Sequence, residues 1–193
     1  MTARTGMATI ILELRGMTDA GTADFTAGTV TYWTDDHLQT ILDRNVRLME
    51  RTPLVAFPRY DSTGGTLQYF EYRSTYGNIE SGTPPVFGLS DGSGSAVGTS
   101  GYTADYTQGV FTFTADQGGT SYYLTGRSYD LNMAAGAVYR QKAAKAASYF
   151  DFSTDNHSVK RSALVKQYLS MAEYYESQSG MQVIPHERGD YAA

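Results

Sequence analysis

One feature constrains this chain more than any other: its character changes sharply part-way along. Between residues 54 and 127 it carries 13 of its 20 glycines and none of its lysines, with Thr and Tyr recurring throughout. Such a stretch favours short strands joined by turns. On both sides of it apolar residues return at helical spacing. The expected fold class is therefore α+β: a helical bundle, made of early helices plus two long C-terminal helices, with an inserted small antiparallel β module. The boundaries expected are 1–53 for the N-terminal helical part, 54–127 for the β module, 128–180 for the C-terminal helices and 181–193 for a tail.

With 193 residues and 41% of them hydrophobic, the chain can bury a sizeable core. It has no cysteine, which excludes disulfides, thiolate metal sites and cysteine nucleophiles. No apolar run approaches the roughly 20 residues of a membrane helix. The start, MTARTGMATIILELRG, is too short in apolar residues for a signal peptide and lacks a small-residue cleavage pattern. A soluble protein without membrane contact is expected.

Local signals refine the zones. Ala8 to Arg15 is a short apolar helix that Gly16 is expected to end. Thr34 is a good N-cap, with Asp35 and Asp36 in the first turn and Leu38, Ile41, Leu42 and Val46 at helical spacing. Arg44, Arg47 and Arg51 suit the C-terminal end of that helix, and Pro53 closes it. In the β zone, Leu67–Arg73 reads as a strand, and Tyr102–Tyr106 against Val110–Thr114 reads as a hairpin with a three-residue loop ending in glycine. Thr120–Thr125 offers a third strand, and residues 88–101 have flexible-loop composition. Tyr129 to about Phe150 reads as one long helix. A second helix follows, with Ser158 or a neighbour as cap, an apolar stripe at Leu164, Tyr168, Met171/Ala172 and Tyr175, and a stop at Gly180.

Candidate catalytic residues are few. The histidines are His37, His157 and His186. His157 with Asp151 or Asp155 is the nearest approach to an acid–base or metal set, but Asp and Asn in that segment are explained by turn and cap geometry. Asp35 and Asp36 are adjacent on a helix and point apart. There is no HExxH, GxSxG or EF-hand motif and no P-loop. Arg188–Asp190 matches the integrin tripeptide and Asn156–Ser158 a glycosylation sequon, and both are short enough to be accidental. Trp33 is expected to pack as a staple on the helix that follows. No catalytic residue, metal site or cofactor is expected, and the chain is not expected to be an enzyme.

The charge distribution is more informative. From Arg127 to Lys166 there are seven basic and three acidic residues, in a chain of net charge −5. The long helix carries Arg140, Lys142 and Lys145 and no acid between Asp130 and Asp151. The last helix has Lys160, Arg161 and Lys166 early and Glu173 and Glu176 late, which opposes the helix dipole. Ala143, Ala144, Ala146 and Ala147 let another backbone come close. These features mark Arg140, Lys142, Lys145, Lys160, Arg161, Glu173 and Glu176 as a subunit-interface face that a complementary surface is expected to cover, and the segregated charge suits head-to-tail pairing of identical copies.

The stretches WTDDHLQTILDRN and YDLNMAAGAVYRQKAAKAASYFDFSTDNHSVKRSALVKQYLSMAEYYES resemble the head–tail connector (adaptor) proteins of long-tailed bacteriophages. The matching elements are the helix start at Thr34–Asn45, the late helix at Tyr129–Lys145 and the Asp151–Ser162 lead into the last helix, about a fifth of the chain together. The resemblance implies a virion protein of the neck that assembles as a homo-oligomeric ring, commonly dodecameric, beneath the portal protein. It also implies contact with the next neck or tail protein, and a central channel through which DNA passes without sequence-specific binding. A C-terminal segment docks on the portal in that family, which gives Met181, Val183, Ile184 and Pro185 that role here. The β zone departs from family members with short loops at that place. A stopper-type neck protein and a carbohydrate- or receptor-binding β module on a helical stalk are the alternative readings.

Overall fold

Helices begin where the sequence supplies caps. The computed structural model describes residues 3–21, 32–62, 64–83, 86–148, 152–154, 157–159 and 161–180. Helix α1 (Ala8–Thr18) follows a 3-10 turn at Thr5–Met7 and runs through Gly16 rather than stopping there, burying Ile10, Ile11 and Leu14. Helix α2 (Asp35–Asp43) starts after Thr34, whose side chain accepts a hydrogen bond from the His37 amide at 3.2 Å. Helix α3 (Leu131–Ala147) starts after Asp130, whose carboxylate accepts from the Met133 amide at 3.0 Å. Helix α4 (Arg161–Gln178) gives way to Gly180 at φ +84°, the left-handed conformation that suits glycine at a helix stop. The stripe read from the sequence, Leu164, Tyr168, Met171, Ala172 and Tyr175, lies on the less exposed side of α4, with Ala172 fully buried.

The second helix ends earlier than its apolar pattern predicts. Arg44 is its C-cap, and Val46–Pro53 forms strand β1 instead of the expected last turns. Strand β1 pairs antiparallel with Tyr122–Tyr129, the strand labelled β7 below, from Val46↔Tyr129 to Pro53↔Tyr123. That partner is remote in sequence, so nothing local announces it. Arg51, at φ 47°, sits where the register slips between Met49 and Thr52. Pro53 is tolerated because β1 is an edge strand.

The remaining strands are β2 (Val55–Asp61), β3 (Thr66–Arg73), β4 (Gly88–Asp91), β5 (Tyr102–Asp105), β6 (Val110–Phe113) and β7. They form two antiparallel sheets, in the orders β1-β7-β4 and β2-β3-β6-β5. The β5–β6 hairpin is the one expected, closed by Gly109 at φ +70°, where a Cβ would lie 2.5 Å from the Tyr76 carbonyl oxygen. The third strand does not extend that hairpin; it is the centre of the other sheet. The segment 88–101 is also more ordered than its composition predicts. Strand β4 pairs with β7, and the Asp91 carboxylate accepts from the Ser93 and Ser95 amides at 2.9 Å each, an Asx-type turn. Inward faces of both sheets meet in one aromatic core. Tyr72, Phe111, Phe113 and Tyr122 are buried there, with the Phe113 and Tyr122 rings stacked at 4.6 Å.

Strands β8 (Phe152–Thr154) and β9 (His157–Val159) pair between α3 and α4, so Ser158 lies in a strand and does not cap α4. The chain is thus mixed α+β and divides into two compact units. A helical unit contains 8–45 and 130–180, and a β unit contains 46–129 together with Arg4–Met7. Boundaries expected after 53 and 127 fall instead after 45 and 129, because β1 and the end of β7 hold each other in one ladder.

Candidate functional site

The residues assigned to a subunit interface are best followed along α3 and α4, which pack against each other. Gly136 makes the close approach: a Cβ there would lie 2.6 Å from Glu176 Cγ and 3.3 Å from the Ala172 carbonyl oxygen. Beside it, Arg140 grips Glu176 with Nε and Nη2 each at 2.6 Å from a carboxylate oxygen. The hydrogen bond from Arg140 holds the Glu176 carboxyl below its ordinary range, and the same bond raises Arg140. The late acid that opposed the dipole of α4 is therefore answered within the chain, by α3.

Lys142 departs from the expectation that it faces another subunit. It is 4% exposed, and its Nζ donates to the Asp19 carbonyl oxygen at 2.9 Å. The helix turns that position inward, and the lysine arm ties α3 to the end of α1. Lys145 is half-buried, with Nζ 3.1 Å from the centroid of the Tyr32 ring, a cation–π contact. Of the alanine row, Ala143 and Ala146 are buried while Ala144 and Ala147 are exposed. Glu173 is exposed on α4. Lys160 and the tail residues Met181, Val183, Ile184 and Pro185 lie outside the described residues; so do Asp151, Asp155 and His186, and the side chains of Arg161 and His157.

The most enclosed charged group lies in the β unit, where sequence reasoning placed nothing. Glu80 is 1% exposed. Its amide donates to the Arg127 carbonyl oxygen at 2.9 Å, and Ile79 before it bridges to Ser128. Its carboxylate accepts from Arg4 Nε at 2.7 Å and from the Tyr129 hydroxyl at 2.6 Å, with Arg127 Nη1 at 3.6 Å. Arg4 Nη2 also donates to the Tyr129 oxygen at 2.9 Å. A lone acid in YGNIESG has no periodic or motif signal, and its counter-ion lies 76 residues away. Enclosed, this carboxylate is held by charge-assisted hydrogen bonds from Arg4 and a hydroxyl bond from Tyr129.

Catalytic geometry is not assembled among the described residues. His37 Nε2 is 2.8 Å from Gln141 Oε1, and its ring lies against Trp33 at 5.6 Å between centroids. Trp33 is fully buried, in keeping with the staple position. Asp35 pairs with Arg15 at 2.7 Å. No cluster of three His, Cys, Asp or Glu residues able to hold a metal occurs among the described residues, and none of their helices is long and apolar enough to cross a membrane. The tyrosines that raised a carbohydrate-binding reading largely serve the core: Tyr72, Tyr102 and Tyr122 are buried in it. No family model, curated protein or solved structure matches this chain.

Proposed function

We propose that this chain is a structural head–tail connector (adaptor) of a long-tailed bacteriophage, forming a ring beneath the portal through which DNA passes. In this reading α1 to α4 are the bundle of the connector and the β unit is an insertion in it. One observation carries the proposal beyond the sequence resemblance. The ingoing and outgoing strands of the β unit are neighbours, with Val46 paired to Tyr129, and the Asp130 amide then donates to the Asn45 carbonyl oxygen at 3.1 Å. A module whose ends lie together can be inserted into a host fold without pulling it apart. Early and late helices that bracket such an insertion are what the resemblance implies for a connector.

The ring contact is reassigned within the proposal. Arg140 with Glu176 and Lys142 with Asp19 act inside the chain, which leaves exposed Glu173 and Lys166 on α4 as charges available to a neighbour. A net charge of −5 suits a conduit that repels phosphate rather than gripping it. The test is to mix the purified chain with the portal protein at micromolar concentration and examine the product by electron microscopy. A ring of copies seated on the portal is expected. A mixture in which the two proteins stay separate, by microscopy and by size-exclusion chromatography, overturns the connector reading.

A further inference from the structure

We propose that Glu80, Tyr129, Arg127 and the Ser81 main chain form a receptor site for an arginine-bearing peptide segment, and that Arg4–Met7 is its resident ligand. Three contacts make the recognition. The guanidinium of Arg4 meets Glu80 through Nε at 2.7 Å and Nη2 at 3.3 Å, and reaches the Tyr129 hydroxyl at 2.9 Å. Lysine cannot reproduce this planar fork. Two residues on, Gly6 lies so close to Ser81 that a Cβ would collide with the Ser81 carbonyl oxygen, and the Gly6 carbonyl accepts from the Ser81 amide at 3.4 Å. Met7 then fills a fully buried position. The site therefore selects arginine, then any residue, then glycine.

The segment is held as a ligand is held. It adds no strand to either sheet; its hold on the site comes from one side chain and one main-chain carbonyl. The receptor side is fixed independently of it. Glu80 is positioned by its amide bond to the Arg127 carbonyl, and its carboxylate keeps the Tyr129 hydroxyl at 2.6 Å and Arg127 at 3.6 Å. The site can accordingly be vacated and refilled by a segment of the same chemistry.

The test uses the full chain. Gly6→Val drives a side chain into the Ser81 carbonyl and displaces the segment, leaving the site open to a fluorescent synthetic peptide of residues 1–9. Saturable binding to the variant is expected, with no binding to the wild-type chain, whose site is filled. Replacing arginine by methionine in the peptide should weaken binding by about tenfold or more, as expected for losing a charge-assisted pair. Failure of the peptide to bind a folded Gly6→Val chain overturns the receptor. Equal binding by the wild-type chain overturns the resident-ligand assignment. Should Gly6→Val fail to fold, Arg4→Met, Glu80→Met and the double variant decide the matter by thermal unfolding. Arg4→Met strands a buried carboxylate and should lower Tm more than the double variant does. Additive losses would overturn the pairing.

Discussion

In the β unit rings fill much of the core: Tyr72, Phe87, Tyr102, Phe111, Phe113 and Tyr122 are six of its eleven buried members. In the helical unit, α3 buries Ala134, Ala135, Gly136, Ala143 and Ala146, and α4 buries Ala172. The β core is cohesive because large apolar area leaves water, whereas at the contact of α3 with α4 small side chains let the helix backbones approach. The two therefore break in opposite ways. Making residues smaller should damage the β unit, and making them larger should damage the helical unit.

The sharpest test of that contrast is Phe111→Ala. It leaves a cavity beneath both sheets and should cost about 3–5 kcal/mol, read as a lower urea midpoint. An unchanged midpoint would mean that the aromatic core is not what holds the β unit.

Alkali tests the same core without mutation. Burial raises the hydroxyl of Tyr72 from 10.0 to about 12, and burial raises Tyr102 and Tyr122 too. Tyr72 has no hydrogen-bond partner among the described residues, so nothing offsets its burial. A raised folded value means that the stabilisation is complete below about pH 10 and is lost as pH rises towards 12. Ellipticity from aromatic side chains should collapse in that window, and Tyr72→Phe should move the collapse to higher pH. A collapse unmoved by Tyr72→Phe would remove Tyr72 from the account.

For the helical unit, Gly136→Leu should force α3 and α4 apart and cost about 1–3 kcal/mol by overpacking. Full stability of that variant would show that close approach is not what joins the pair. The two lysines sharpen the comparison further. Lys142→Glu places an acid against the Asp19 carbonyl in a buried position and should unfold the helical unit, whereas Lys145→Glu should fold and lose only a contact with Tyr32. Circular dichroism separates them; equal helicity would refute the inward role of Lys142. The smallest effect belongs to Arg140→Ala, since its pair with Glu176 is largely solvated, with side chains 53% and 28% exposed. Its Tm should barely move, and a large drop would mark the pair as structural.

What the sequence determined by itself is what neighbours along the chain decide. Thr34 caps α2, Asp130 caps α3, Gly180 stops α4 and Gly109 closes the β5–β6 hairpin, because caps and turns act within a few residues. The stripe on α4 was legible for the same reason, its period being a property of the helix alone. Tertiary structure decided the rest. Residues 46–53 looked helical until β7 supplied a ladder for them, and the third strand looked like part of a hairpin until it paired with β1 and β4. Whether a basic residue faces out or in was equally hidden, since Lys142 is turned inward by the carbonyl of Asp19 and Lys145 towards Tyr32. Glu80 and Arg4 carry no local signal at all. Their pairing exists only because the fold brings together two segments 76 residues apart and excludes the water that would otherwise satisfy the Glu80 carboxylate.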